Sequence, residues 1–153
     1  MRLPVNTQTP VRTVQDAPVA GVRRRVVLPT DGSTAVTNVS LTFGPPSSGH
    51  RWRILWISWY ATFTVAATPR VELQTYTGAI IGSVPVGAAG AGASMQYMMG
   101  ETIRSRADVV GGTTLYSLVP PPIDTLTDQE RIVFVPGGGA GAHYAVVYYE
   151  ESL

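Results

Sequence analysis

Few side chains in this sequence are of a type and spacing that could do chemistry. The most suggestive stretch is Gly137-Gly138-Gly139-Ala140-Gly141, which follows an apolar segment. A phosphate-binding loop has that placing, because the first N–H groups of a following helix cradle the anion. Here Ala142 to Tyr149 alternates like a strand and no Gly-Lys-Ser/Thr follows, so the run reads as a flexible hairpin connection. Gly87 to Ala93 has the same reading. There are two histidines, His50 and His143. A metal site would need a third ligand such as Asp31, Glu101 or Asp108, and no spacing groups one with them. A Ser-His-Asp set has no fixed order along a chain, but no Gly-x-Ser-x-Gly elbow is present. The expectation is a protein that is not an enzyme and needs no cofactor or metal.

Every basic residue is an arginine, eleven in all, and there is no lysine. Schiff-base chemistry, lysine general bases and the phosphate-loop lysine are thereby excluded. Residues 1–25 carry Arg2, Arg12, Arg23, Arg24 and Arg25 against Asp16, a charge of +4; the other six arginines face nine acids, −3, which together make the +1 of the chain. Arg12, Arg23, Arg24 and Arg25 are therefore candidates for contact with a partner. Arg51-Trp52-Arg53 has the mixture of charge and aromatic rings used to stack nucleic-acid bases. The body beyond residue 25 is net negative, however, and Arg24 points opposite to Arg23 and Arg25 on a strand. Nucleic acid is disfavoured, and salt bridging to Glu150 and Glu151, or to a neighbouring subunit, is the simpler account.

The element that must position these groups is the run His50 to Ala67, which holds all three tryptophans. Its odd positions from Leu55 on (Leu55, Ile57, Trp59, Ala61, Phe63, Val65) are all apolar, the mark of a strand face turned to a core. Its even face carries Trp52, Trp56 and Tyr60. Aromatic residues and arginine are enriched at the centres of protein interfaces, so these three are the main candidates for a contact surface, covered by a second chain or by the N-terminal arm. Tyr148 extends the patch, with Tyr97 and Tyr116 as further candidates. Sugar stacking is another use of such rings, but few acids or amides lie near to bind hydroxyls.

The rest of the chain supports strands. Only 14% of residues are charged, against the usual quarter, and 16 Gly and 12 Pro punctuate it. Residues 1–21 are polar and broken by Pro4, Pro10, Pro18 and Gly21, so they read as an extended N-terminal arm. Strands follow at Val22–Leu28, Ala35–Phe43, the tryptophan run, Arg70–Tyr76, Ala79–Val84, Ser94–Met99, Thr113–Val119, Arg131–Val135 and Ala142–Tyr149. The polar stretch Gly100 to Gly112 has room for one helical turn. Pro120-Pro121-Pro122 is a stiff stop, and Glu150 to Leu153 an acidic tail. Many short strands with Gly/Pro turns predict an all-β, antiparallel β-sandwich of jelly-roll form, one domain over 22–153 after the arm. An immunoglobulin-like sandwich is the second choice. With no cysteine, disulfides and thiolate metal sites are excluded. The start has no apolar signal core and 54–67 is too short and polar to span a bilayer, so a soluble chain with no membrane partner is expected.

The order of these features resembles a known group. The strand opening Gly49-His50-Arg51-Trp52-Arg53-Ile54-Leu55 comes first. Thr62, Thr64 and Val65 then precede Pro69-Arg70-Val71 and Leu73. A proline break at Pro120-Pro121-Pro122 is followed by a last strand closing in Tyr148-Tyr149-Glu150-Glu151. Over residues 44–151 this resembles the small β-sandwich virion proteins of tailed bacteriophages, of the head-decoration or fibre-associated kind; the arm has no counterpart there. The resemblance implies a structural protein, made in the host cytoplasm and carried in the virion. It further implies a homo-oligomer, a trimer by preference, docked on the major capsid protein or another virion protein. Decoration of a capsid is the first expectation, and a carbohydrate- or receptor-binding module of a tail fibre the second.

Overall fold

Period-two alternation decides most of the local structure, because it places every apolar residue of a segment on one face. The computed structural model describes residues 21–100 and 125–153 in full, and the backbone of two further strands at 106–110 and 114–117. The strands are β1 (Val22–Leu28), β2 (Ala35–Val36), β3 (Leu41–Phe43), β4 (Arg51–Thr62), β5 (Arg70–Thr75), β6 (Ile80–Pro85), β7 (Ser94–Gly100), β8 (Arg106–Val110), β9 (Thr114–Ser117), β10 (Thr125–Leu126), β11 (Glu130–Val135) and β12 (Ala142–Ser152). Among the described residues there is no helix, and so none long and apolar enough to cross a membrane. The arm expected over 1–21 lies outside the described residues except for Gly21, as does Pro120-Pro121-Pro122.

Two antiparallel sheets pack as in a β-sandwich. The large sheet runs β1-β12-β4-β7-β8-β9, with β2 beside β12 and β10 beside β4; the small sheet runs β3-β11-β5-β6. Their inner faces share one core. Ile57, Trp59, Ala61, Met95, Tyr97, Ala145 and Val147 come from the large sheet and Leu41, Phe43, Val71, Leu73, Ile132 and Phe134 from the small one. Trp59 and Phe134 meet across the gap, ring centres 5.4 Å apart. Each Ile, Leu, Val, Phe or Met among them contributes about 1.5–3 kcal/mol by leaving water.

Three expectations about elements are corrected. The single strand Ala35–Phe43 is two strands in different sheets: β2 pairs with β12, β3 with β11. Between them a turn is closed by Val39 N–H on the Val36 carbonyl, 2.9 Å, and Val39, which alternation along Ala35–Phe43 would put on the same side as Leu41 and Phe43, is 53% exposed. The chain crosses here because Thr37, fully buried, is held by the glycine loop. Its N–H donates to the Gly141 carbonyl (2.8 Å) and its hydroxyl to that of Gly139. The polar stretch 100–112, given room for a helical turn, carries β8 instead. The acidic tail is also strand, since β12 runs on through Glu150, Glu151 and Ser152.

The glycine loops are not hairpin connections. Residues 136–141 join β11 of the small sheet to β12 of the large one, and 86–93 likewise join β6 to β7. Both pack against the crossing that follows β4, where Ala67 and Ala89 exchange backbone hydrogen bonds and Phe63 does so with Gly92 and Ala93. Small residues are needed because backbones touch: a Cβ on Gly141 would lie 1.7 Å from the Thr62 carbonyl oxygen, and one on Gly138 2.8 Å from the Phe63 ring.

The tryptophan strand changes face partway. In the pairing of β4 with β12, Trp56 lies opposite Tyr148 and Ile54 opposite Tyr149, so Leu55 has no partner and forms a β-bulge. One extra residue reverses the parity. Downstream, Ile57, Trp59, Ala61 and Phe63 are buried as the odd-position pattern predicts. Upstream, it is the even residues Trp52 and Ile54 that face inward. Leu55 sits half-buried at the bulge, and Val65, beyond the end of β4, is 49% exposed.

Candidate functional site

The bulge separates the three aromatic residues expected on one face. Trp56 and Tyr60 point outward from the large sheet. Trp52 points inward, its ring centre 4.7 Å from Phe43 and 4.8 Å from Tyr149. It closes the end of the core. What the structure brings to Trp56 and Tyr60 comes from β12. Residues paired in register share a face, so Tyr148 lies beside Trp56 and Tyr144 beside Tyr60. The Tyr60 and Tyr144 rings are 5.5 Å apart and tilted by 38°. The Trp56 ring lies against Gly100, its partner on β7, where a Cβ would meet the ring at 2.3 Å. Tyr148 is the extension expected from the sequence. Tyr144 was legible only through its period-two spacing from Tyr148, which becomes meaningful once Ala142–Tyr149 is known to lie beside the tryptophan strand. Tyr97 is buried on the inner face, and the side chain of Tyr116 lies outside the described residues.

The outer face of the large sheet therefore reads as rows. The row Arg23, Glu150, Arg53 is followed by Arg25, Tyr148, Trp56, then by Val27, Val146, Ser58, Met98, and then by Tyr144, Tyr60, Gln96. Tyr144 and Tyr148 are 37% and 39% exposed. No described strand packs over this face; the small sheet covers the other one.

The four candidate arginines separate too. Arg12 lies outside the described residues. Arg23 and Arg25 are on the outer face, where Arg23 Nε is 3.8 Å from Glu150 and the Arg25 guanidinium lies 5.9 Å over the Tyr148 ring. Arg24 is on the inner side and donates to Glu151 at 2.7 Å. The salt bridging expected from the sequence is thus present for Arg23 and Arg24. Glu151 is shared with His50 Nδ1, 2.9 Å away. Burial raises the Glu151 carboxyl, but Arg24, the Trp52 indole N–H and His50 outweigh it and hold it below the ordinary carboxylate value. The Trp52 N–H contributes although it closes no hydrogen bond of ordinary geometry.

The second histidine is a core residue. His143 is fully buried, accepts from the Trp59 indole N–H at Nδ1 (3.1 Å) and donates from Nε2 to the Val39 carbonyl (2.7 Å). That pattern requires the neutral ring. Burial pushes its pKa below the ordinary value, against backbone hydrogen bonds that raise it. Both nitrogens are committed, so neither serves as a base or a metal ligand. Among the described residues no three His, Asp or Glu side chains form a group that could hold a metal ion. The glycine loop offers no anion cradle, since Gly138 N–H donates to the Thr37 carbonyl and a strand follows.

One buried carboxylate was not singled out in the sequence. Glu72 is 2% exposed yet lies on the outer face of the small sheet, held by Arg70 and Gln74 at 2.5 Å each, with Arg131 donating to Gln74 at 3.1 Å. Both carboxylate oxygens of Glu72 are thus partnered within the small sheet, and the candidate site is the aromatic outer face of the large one. No protein-family model, no curated protein and no solved structure matches the chain.

Proposed function

We propose that this protein is a non-enzymatic structural component of a virion. It assembles with copies of itself through the outer face of the large sheet and docks on a capsid or other virion protein through its N-terminal arm. The observation that carries this reading is the band of Trp56, Tyr60, Tyr144 and Tyr148, continued by Val146 and Met98, on a sheet face that no described strand covers. Contiguous apolar and aromatic surface of this kind is characteristic of permanent interfaces. A jelly-roll fold is part of the proposal. It is supported by the pairing of β1 with β12, β3 with β11, β4 with β7 and β5 with β6. Those are the pairs of one long hairpin, first strand with last and so inward, rolled over to make two sheets. The resemblance to phage head-decoration proteins supplies the setting and favours a trimer.

Size-exclusion chromatography with light scattering tests the assembly. A trimer gives about 49 kDa, three times the 16.3 kDa chain, and Tyr144→Ala with Tyr148→Ala lowers the mass to that of one chain. A monodisperse monomer at micromolar concentration sinks the reading. Retention of particle binding after deletion of residues 1–21 sinks the role of the arm. Glycan-array binding that Tyr148→Ala abolishes in a folded monomer favours the carbohydrate-binding alternative.

A further inference from the structure

His143 is a buried titratable group that neither the candidate site nor the ion pairs use. It is the second residue of β12, at the end of that strand away from Glu151, and is fully buried. Its two bonds fix its protonation. The Trp59 indole nitrogen can only donate and the Val39 carbonyl can only accept, so Nδ1 is bare and Nε2 carries the hydrogen. A proton added at Nδ1 would set two donors against each other 3.1 Å apart and leave a buried charge unpaired. The groups around the ring offer no charge to compensate it. They are Trp59 and Ala61 on β4, Ala35 on β2, Thr37 and Val39 in the turn, and Phe134 of β11 beyond Trp59. Tyr144 and Tyr60, the nearest phenols in the register, are on the other face of the sheet. Burial holds the ring below the ordinary 6.5, against backbone hydrogen bonds to Val39 and Val36 that raise it.

What His143 holds is a lightly anchored part of the sandwich. β2 gives two residues to the large sheet and β3 three to the small one, against ten register pairs between β4 and β12. Asn38, Val39 and Ser40 are exposed. Thr37 ties this turn to the glycine loop: its N–H donates to the Gly141 carbonyl at 2.8 Å, its hydroxyl donates to that of Gly139, and its own carbonyl accepts from Gly138 N–H at 3.2 Å. Segments with short ladders and exposed backbone open at lower free energy than the whole molecule unfolds. We propose that His143 is an acid-released latch: protonation of Nδ1 frees the turn 37–40 and, through Thr37, the glycine loop 137–141, while β4 and β12 stay paired. The proton is bound by the opened state, where water reaches the ring, and so shifts the population toward it. The latch does not depend on how the outer face of the large sheet is used.

Amide hydrogen exchange of the full chain, followed by NMR and corrected for the intrinsic rate at each pH, is the test. The Val39 and Gly138 N–H groups should exchange through an opening easier than the one that exposes the β4–β12 ladder. From about pH 7 to 5.5 that opening should grow by up to about tenfold, because the open state takes up a proton near the ordinary 6.5 and the closed state refuses it. The Gly78 N–H, bonded to the Thr75 carbonyl in the β5–β6 turn, is the reference and should not change. His143→Gln, which keeps an acceptor for Trp59 and a donor for Val39, should remove the growth. Ring nitrogen shifts of the parent give a check that needs no variant. At pH 6.5, where a free imidazole is half charged, His143 should remain neutral with its hydrogen on Nε2. The proposal is overturned if the ring is half charged at that pH, or if the turn and loop amides open only together with the ladder. It is equally overturned if their opening does not grow on acidification, if Gly78 grows as much, or if the growth persists in folded His143→Gln.

Discussion

Two residues illustrate how much a single position can hold. Gly141 lies where two backbones touch, so any side chain must push the Thr62 carbonyl away. Gly141→Ala should lower the unfolding free energy by about 3 kcal/mol or more, as backbone displacement at a packed crossing does. Gly90→Ala, whose Cβ meets nothing within 4 Å, should change it by less than about 0.5 kcal/mol. Urea denaturation of the two variants makes the comparison. His143 predicts a pH dependence. Its folded-state pKa is depressed below the ordinary 6.5, so over the range between the two values the unfolded chain takes up a proton that the folded one refuses. Stability is full above about pH 6.5 and falls as the pH drops below it. His143→Gln keeps a donor for Val39 and an acceptor for Trp59, and should flatten the loss between about pH 7 and 5.5; an unchanged slope in that variant would remove His143 as the cause.

The bulge in β4 governs the element scale. Because Leu55 has no partner, one strand sends Trp52 into the core and Trp56 to the surface, though both are at even positions. The two tryptophans should therefore separate on mutation. Trp52→Ala should cost about 2–3 kcal/mol of stability, since it opens a gap between Phe43 and Tyr149. Trp56→Ala should cost about 1 kcal/mol or less within a chain, while weakening self-association in light scattering. Equal costs would mean that the strand does not change face. The split of Ala35–Phe43 has a similar origin. Its alternation is real, and Leu41 and Phe43 do face the core, but buried Thr37 is bonded to the glycine loop, and the chain changes sheets there.

Across the whole molecule, the first strand is held to the last. β1 pairs with β12 along its full length, and Arg24, His50 and Glu151 fasten the starts of β1 and β4 to the end of β12. The depressed Glu151 pKa means that this carboxylate's contribution is present above the ordinary carboxylate value and is lost as the pH falls through the lower, folded-state value. Glu151→Gln should be less stable than the parent at neutral pH, and should lose less on acidification from about pH 5 to 3; thermal melts across that range measure both. Pairings this distant in sequence also place folding among the slow, non-local class, with relaxation in roughly milliseconds to seconds.

The sequence by itself determined the class of fold, the positions of most strands and the buried face Ile57, Trp59, Ala61 and Phe63. It could do so because alternation is a property of the backbone and needs no knowledge of neighbours. It offered Glu150 and Glu151, or a neighbouring subunit, as salt-bridge partners for the arginines, and the register of β1 with β12 assigned Glu150 to Arg23 and Glu151 to Arg24. Tertiary structure alone decided where alternation breaks. A bulge exists only relative to the strand it pairs with, so the parity change at Leu55, and with it the inward turn of Trp52, could not be read from β4. The same holds for the loop at 137–141, whose glycines answer to Thr62 and Phe63 some seventy-five residues earlier. It holds too for the outer face, where Tyr144, Arg51 and Arg53 join Trp56 and Tyr60 only through the register of β12.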